Sequence, residues 1–151
     1  MARVERIADG GAEGRELLIV QLDSLDDELP RLTLSGRYFA ALVACDASTI
    51  ATEEIASFAE RLLDAGCVYV CCWEPDCERV HDIFDEVIVS RPASPGVIMT
   101  TWHNESLDEA VDFLLVDALP DAVFADQCLS SIAVVIGRPD WARVVVRQTK
   151  G

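Results

Sequence analysis

Short apolar runs alternate with stretches of helical periodicity through the middle of the chain, and few architectures accommodate that order. Residues 38–45 (Tyr-Phe-Ala-Ala-Leu-Val-Ala-Cys) and 67–73 (Cys-Val-Tyr-Val-Cys-Cys-Trp) are apolar throughout, and 97–102 nearly so. Strands of that kind are buried on both faces. Between the first two, Ile55, Phe58, Ala59, Leu62 and Leu63 recur at 3.6-residue spacing, which predicts a helix from about Thr52. Thr52 is expected to cap it, Glu53 and Glu54 suit its positive end, and Gly66 closes it. Pro75 and Asp76 open a second helix with the stripe Val80, Ile83, Phe84 and Val87, and residues 86–89 suggest a short strand after it. Ser106 and Glu109 form a capping box for a third helix, which Pro120 ends.

Residues 16–22 predict an earlier strand, and 23–35, broken by Pro30, a loop. Residues 132–136 and 143–147 predict two last strands joined across Gly137-Arg138-Pro139-Asp140, an antiparallel hairpin. Strand and helix in alternation build a parallel sheet covered on both sides. The expectation is an α/β fold in three layers, with a mostly parallel sheet of Rossmann-like or flavodoxin-like kind and that C-terminal hairpin at its edge. Residues 1–14, with three glycines and no periodicity, are expected to be a flexible tail, and 15–151 a single domain.

Charge narrows the function classes. The formal net charge is −15 and the pI about 4.3. Nucleic acid and anionic membrane surfaces are bound through Lys and Arg, so neither is an expected partner. A basic protein is the partner such a surface favours, and a small-molecule ligand remains allowed. Residues 92–137 contain seven acids and no Lys or Arg, whereas Arg138, Arg143, Arg147 and Lys150 cluster after them. No run approaches about 18 apolar residues, and the N-terminal segment lacks an apolar signal core, so a cytoplasmic location is expected. The six cysteines (45, 67, 71, 72, 77 and 128) then read as reduced thiols.

Ligands of open parallel sheets sit beyond the carboxyl ends of the strands. Those ends carry Cys45, Asp46, Ser48 and Thr49, then Cys71, Cys72, Trp73 and Glu74, then Thr100, Thr101, Trp102 and His103. Cys72, Cys77, His81 and His103 are donors of the type zinc takes, and Cys77 and His81 share one helix face. Their spacing matches no zinc-finger knuckle. A nucleophilic Cys72 or Cys77 needs a lowered pKa, which neighbouring Glu74, Asp76 and Glu78 oppose. No C-x-x-C, phosphate-binding glycine loop or G-x-S-x-G elbow is present, and acids occupy the helix starts, so no cofactor is expected.

Two resemblances bear on these residues. Asp46-Ala-Ser-Thr-Ile partly resembles the metal-binding Asp-x-Ser-x-Ser loop of von Willebrand A-type domains, with Ile50 where the second Ser would stand. The run from Cys72 through Trp73, Asp76 and His81, followed by 97–103 and Glu-Ser-Leu-Asp-Glu-Ala, resembles a family of small, mostly bacterial α/β domains of unknown function, over roughly residues 36–120. That resemblance implies a recurring fold and groups Trp73, Asp76, His81, Trp102 and His103 as one site. The expected function is a non-enzymatic binding domain using Asp46, Cys72, Trp73, Asp76, His81, Trp102 and His103. The alternative is a small Cys/His enzyme at the same edge, a thiol enzyme or a zinc-dependent hydrolase. The enzyme requires His81 and His103 to meet Cys72, Cys77 or Asp46 within about 4–6 Å in a cleft.

Overall fold

The computed structural model describes residues 2–8, 14–73 and 75–150. Among them, six strands form one sheet: β1 (Arg3–Ala8), β2 (Glu16–Leu22), β3 (Tyr38–Ala44), β4 (Cys67–Trp73), β5 (Met99–His103) and β6 (Cys128–Ile136). Their order is β1-β2-β6-β3-β4-β5, and every pairing is parallel except β1 with β2. The helices are α1 (Thr52–Asp64), α2 (Cys77–Ser90), α3 (Leu107–Asp112), α4 (Ala122–Ala125) and α5 (Pro139–Lys150), and a π-helical turn, Phe113–Asp117, extends α3.

Period-two alternation sends each strand's side chains into two separate cores. Leu18, Val20, Val43, Val70 and Val134 face α1 and α2, meeting Ile55, Phe58, Leu62, Val80 and Phe84. Leu17, Ile19, Leu42, Cys71 and Val135 face α3, the π turn and α5, meeting Ala110, Leu114, Trp141 and Val145. The sheet is thus covered on both sides, as an α/β chain requires. The strand order departs from Rossmann-like and flavodoxin-like winding, because β6 inserts between β2 and β3.

Other expectations are corrected. Residues 143–147 are not a strand of an antiparallel hairpin but part of α5. The Val144-Val145-Val146 run favours a strand, yet β-propensity spans only about 1 kcal/mol. Burying Val145 and Trp141 on the second face contributes roughly 1.5–3 kcal/mol each. Pro139 in the first helical turn, Asp140 beside it and Arg147 near the end also suit a helix. Residues 3–8, expected as flexible tail, form β1, an edge strand whose alternating charges hide it from an apolar pattern; residues 9–13 of that expected tail lie outside the described ones. Residues 86–89 stay helical because Val87 continues the buried α2 stripe. Ala51, not Thr52, holds the N-cap of α1, with no side-chain cap bond. Ser106 does cap α3, accepting from the Glu109 amide at 3.2 Å.

Two charged side chains knit the ends of the sheet. At the amino end, buried Glu16 accepts from Ser130 Oγ at 2.6 Å, the Ser35 amide at 2.9 Å and Ser35 Oγ at 3.0 Å, and pairs with Arg6. Burial alone raises its pKa, but bonds from Ser130 and Ser35 and the charge of Arg6 together hold it below the usual value. At the carboxyl end, Arg79 Nη1 donates to Ala47 O at 2.9 Å and Asp76 Oδ2 at 3.2 Å. Its Nη2 donates to Ile50 O at 2.7 Å and Thr52 Oγ1 at 3.2 Å. One guanidinium so joins α2 to the loop between β3 and α1.

Glu16→Gln is expected to lower stability by about 1.5–3 kcal/mol near pH 7, the range for hydrogen bonds to charged groups. The folded pKa of Glu16 is depressed, so this stability is present above the unfolded pKa and lost as pH falls through the folded one. Urea unfolding of both proteins from about pH 7 to about pH 3 checks this; a gap that does not narrow in acid refutes it. Arg79→Lys is expected to destabilise almost as much as Arg79→Ala, because an ammonium cannot span the guanidinium's diverging acceptors. Hydrogen exchange at the Ile50 amide, which donates to Ala47 O, should accelerate in both variants.

Candidate functional site

The strand alternation divides the expected site residues. Cys72 pairs in register with Trp102, and Trp73 with His103. Cys72 lies in the core under α1 and α2, and Trp102 stands on that same face, against α2. Trp73 packs on the opposite core, and His103 turns the same way, against the π turn. His81 and His103 therefore occupy opposite faces of the sheet.

On the first face, His81 projects from α2 toward β5. Its ring meets Trp102 edge-on, with centroids 4.8 Å apart. Its Nε2 lies 3.0 Å from Thr100 Oγ1 and 3.5 Å from Asp85 Oδ2, and its Nδ1 3.1 Å from Asp82 Oδ1. Thr100 Oγ1 donates to Asp85 Oδ1 at 2.6 Å. Helix periodicity accounts for His81 with Asp85, which are four apart and stand one turn above each other. The ligand atoms of His81, Asp82 and Asp85 all lie within 4.8 Å of one another, close enough for a metal ion. The His81 side chain is 11% exposed, while Asp82 and Asp85 open to solvent at 69% and 47%.

On the second face, His103 is buried against Phe113, with centroids 4.5 Å apart. Its Nε2 is 2.8 Å from Thr101 Oγ1, and its Nδ1 3.2 Å from Glu105 Oε1. Trp73 Nε1 donates to Glu105 O at 2.9 Å, and its ring meets Trp141 edge-on at 5.0 Å. The Arg138 guanidinium lies 4.5 Å over the Trp141 ring. These contacts satisfy the polar tips of Trp73 and His103 in place and turn both into packing residues of the β5–α3 corner.

Asp46 follows the end of β3. Its carboxylate accepts from Ser48 Oγ at 2.6 Å and the Ser48 amide at 3.1 Å, a local turn. Those two bonds, with the charge of Arg138, hold its pKa below the usual value. Asp76 precedes α2 in the left-handed region at φ 67° and bonds Arg79. Both carboxylates thus serve loop geometry.

All six cysteines are buried and none is in a disulfide. Burial, then the charge of Asp46, pushes Cys45 up to about 12. Burial also pushes Cys71 up to about 12 and Cys72 well above the ordinary thiol value. Cys67 and Cys128 are raised for the same reason. Thiolates at these positions are disfavoured.

Sequence reasoning missed a cavity of about 720 Å³ at the amino ends of β3 and β4, opposite the expected edge. Tyr38, Val68, Val89, Pro95, Val97 and Phe124 line it. Its outer wall is the loop 91–98, held by Asp121 Oδ2 accepting from the Val97 amide at 2.8 Å. Pro92, Pro95 and Gly96 are the signal the sequence offers there, and they mark a loop without marking a cavity. Arg91 at its rim is committed to Glu60 and Asp64, at 2.8 and 2.7 Å.

No curated protein matches the chain. A family model does, over residues 18–140, from within β2 to the start of α5. That span takes in β5, α2 and both histidine clusters, and the chain belongs to the family described as a domain of unknown function (DUF7684).

Proposed function

We propose that this protein is a non-enzymatic binding domain whose recognition surface is the outer edge of β5, and that its partner is a basic, extended polypeptide segment. The observation that carries this reading is an uncharged edge strand bearing an exposed tryptophan among carboxylates. β5 ends the sheet, and no described strand pairs with its outer side. Natural edges are protected by charge, and β1 carries Arg3, Glu5 and Arg6. β5 reads Met-Thr-Thr-Trp-His, with its histidine buried. Trp102 is 49% exposed and Met99 39%.

An added strand gains affinity from main-chain bonds and selectivity from its flanks. Those flanks are acidic: Glu78, Asp82, Asp85 and Glu86 on α2, and Glu105, Asp108 and Asp112 after β5. Charge of this sign steers basic partners and repels acidic ones. Trp102 supplies the rigid aromatic anchor that binding hot spots favour. The cavity bounded by Val97 and Ile98 opens just before β5 and has room for an apolar side chain of the same segment.

The thiol-enzyme alternative draws less support. Its nucleophiles are buried with raised pKa values, and its two histidines lie on opposite faces. Iodoacetamide is expected to modify Cys45, Cys71 and Cys72 at least about a hundredfold more slowly in the native protein than in the unfolded chain. Rapid native modification of any of the three would restore the alternative.

The binding reading is tested by titrating the full chain with a synthetic peptide of alternating lysine and valine, followed by amide NMR. Shifts are expected at Met99–His103 and at the Trp102 indole. Trp102→Ala should weaken binding roughly tenfold or more, and high salt should weaken it too. Shifts confined to other surfaces, or equal binding of a glutamate–valine peptide, would overturn the proposal.

A further inference from the structure

Beside the β5 edge, and independent of what docks there, the side chains on α2 have the makings of a metal site. We propose that His81 Nε2 and the Asp85 carboxylate chelate one divalent transition-metal ion of the zinc type, with water completing its coordination.

The two donors stand one helical turn apart, Nε2 to Oδ2 at 3.5 Å. Zinc bonds of about 2.0–2.2 Å in a tetrahedron put neighbouring ligands roughly 3.3–3.5 Å apart. The pair is thus spaced as one edge of a zinc tetrahedron, without rearrangement of the helix. A mixed imidazole and carboxylate pair suits a borderline ion better than calcium or magnesium, which take oxygen ligands.

The surroundings of the pair are those that hold metal ligands in place. A ligating histidine usually donates its other ring N–H to a carboxylate, which fixes its tautomer and raises its basicity. Here Asp82 Oδ1 lies 3.1 Å from His81 Nδ1. A ligating carboxylate is in turn hydrogen-bonded, and Thr100 Oγ1 donates to Asp85 Oδ1 at 2.6 Å, leaving Oδ2 for the ion. The edge of the Trp102 contact restrains the imidazole from a third side. His81 is nearly buried while Asp85 is half exposed, so an ion has a firm inner ligand and an open path from solvent. Two protein donors leave two positions for water, one more than three-ligand catalytic zinc sites leave, and Thr100 Oγ1 stands 3.0 Å from the ligating Nε2.

In this assignment His81 ligates through Nε2, Asp85 is the second ligand, and Asp82 and Thr100 are positioning residues. No thiol takes part. Cys72 and Cys77, once candidates beside His81, are both buried in the core on this face.

Equilibrium dialysis of the full chain against zinc alone, with cobalt(II) as a spectroscopic substitute, tests the site. One zinc per chain is expected. His81→Gln and Asp85→Asn should each weaken binding at least about tenfold, and Asp82→Asn about 10–100-fold, the usual effect of losing an outer partner. Asp85 is on the surface, so Asp85→Asn should keep the native circular dichroism and still lose affinity. The cobalt form should show visible d–d bands without a near-ultraviolet thiolate charge-transfer band. A thiolate band, unchanged affinity in Asp85→Asn, or no binding by the native chain at millimolar zinc would each overturn the proposal. The peptide is absent from this experiment and the metal from the peptide titration, so either reading fails without the other.

Discussion

A β-strand turns successive side chains to opposite faces, and in a sheet covered on both sides that alternation decides which residues can ever meet. The carboxyl ends of β4 and β5 carry Cys71, Cys72, Trp73, Thr101, Trp102 and His103 within a few ångströms along the chain. Yet Cys72 and Trp102 face one side of the sheet and Trp73 and His103 the other. Two helical layers, not one cleft, receive them. A shift of register by one residue would exchange all of these assignments at once. The parallel ladder from β2 to β5 prevents that shift, since a slip would drive Val70, Cys72 and their neighbours out of one filled core into another.

Several polar groups at the carboxyl end of this sheet are tied to one another or to nearby backbone. Arg79 binds the loop after β3, Asp46 folds back on Ser48, and Trp73 reaches the backbone of Glu105. Glu16 does the same at the amino end, joining β1, β2, β6 and the loop before β3 through three hydrogen bonds and an ion pair. With both ends tied, unpaired main chain is left chiefly at the margins of the sheet, and of those margins β5 is the one without charge on the strand itself.

The parallel core was legible because its signals are strong and redundant. β4 has the bounds its apolar run predicts, and α1 buries the five residues its spacing selects. The ends of the chain were not legible, for different reasons. β1 needs one neighbour only, so Arg3, Glu5 and Arg6 could stay on it without spoiling the fold, and the apolar pattern was lost. In α5, a run of three valines outweighed the capping signals locally, whereas tertiary burial of Trp141 and Val145 decided the outcome. From the sequence, His81 and Trp102 group with Trp73, Asp76 and His103; strand parity, which that grouping does not use, sets His81 beside Trp102 and His103 on the other face. Asp85 went unremarked because it lies off the apolar stripe of α2, and Thr100, though placed among the strand ends, gave no sign of its bond to Asp85.

Acidity acquires a more particular meaning once the edge is located. An exposed apolar edge strand invites a second copy of itself to pair. Two copies meeting through β5 would bring the carboxylates of both α2 helices, and those following β5, together, with no Lys or Arg between residues 92 and 137 to offset them. Unit charges of like sign a few ångströms apart repel by about 1 kcal/mol even in water, and by more at a partly desolvated interface. On the proposed reading, the same carboxylates would attract a basic strand. On that reading the flanking charge takes the part that charge on the strand itself plays in β1, favouring a basic partner over a second copy of the chain.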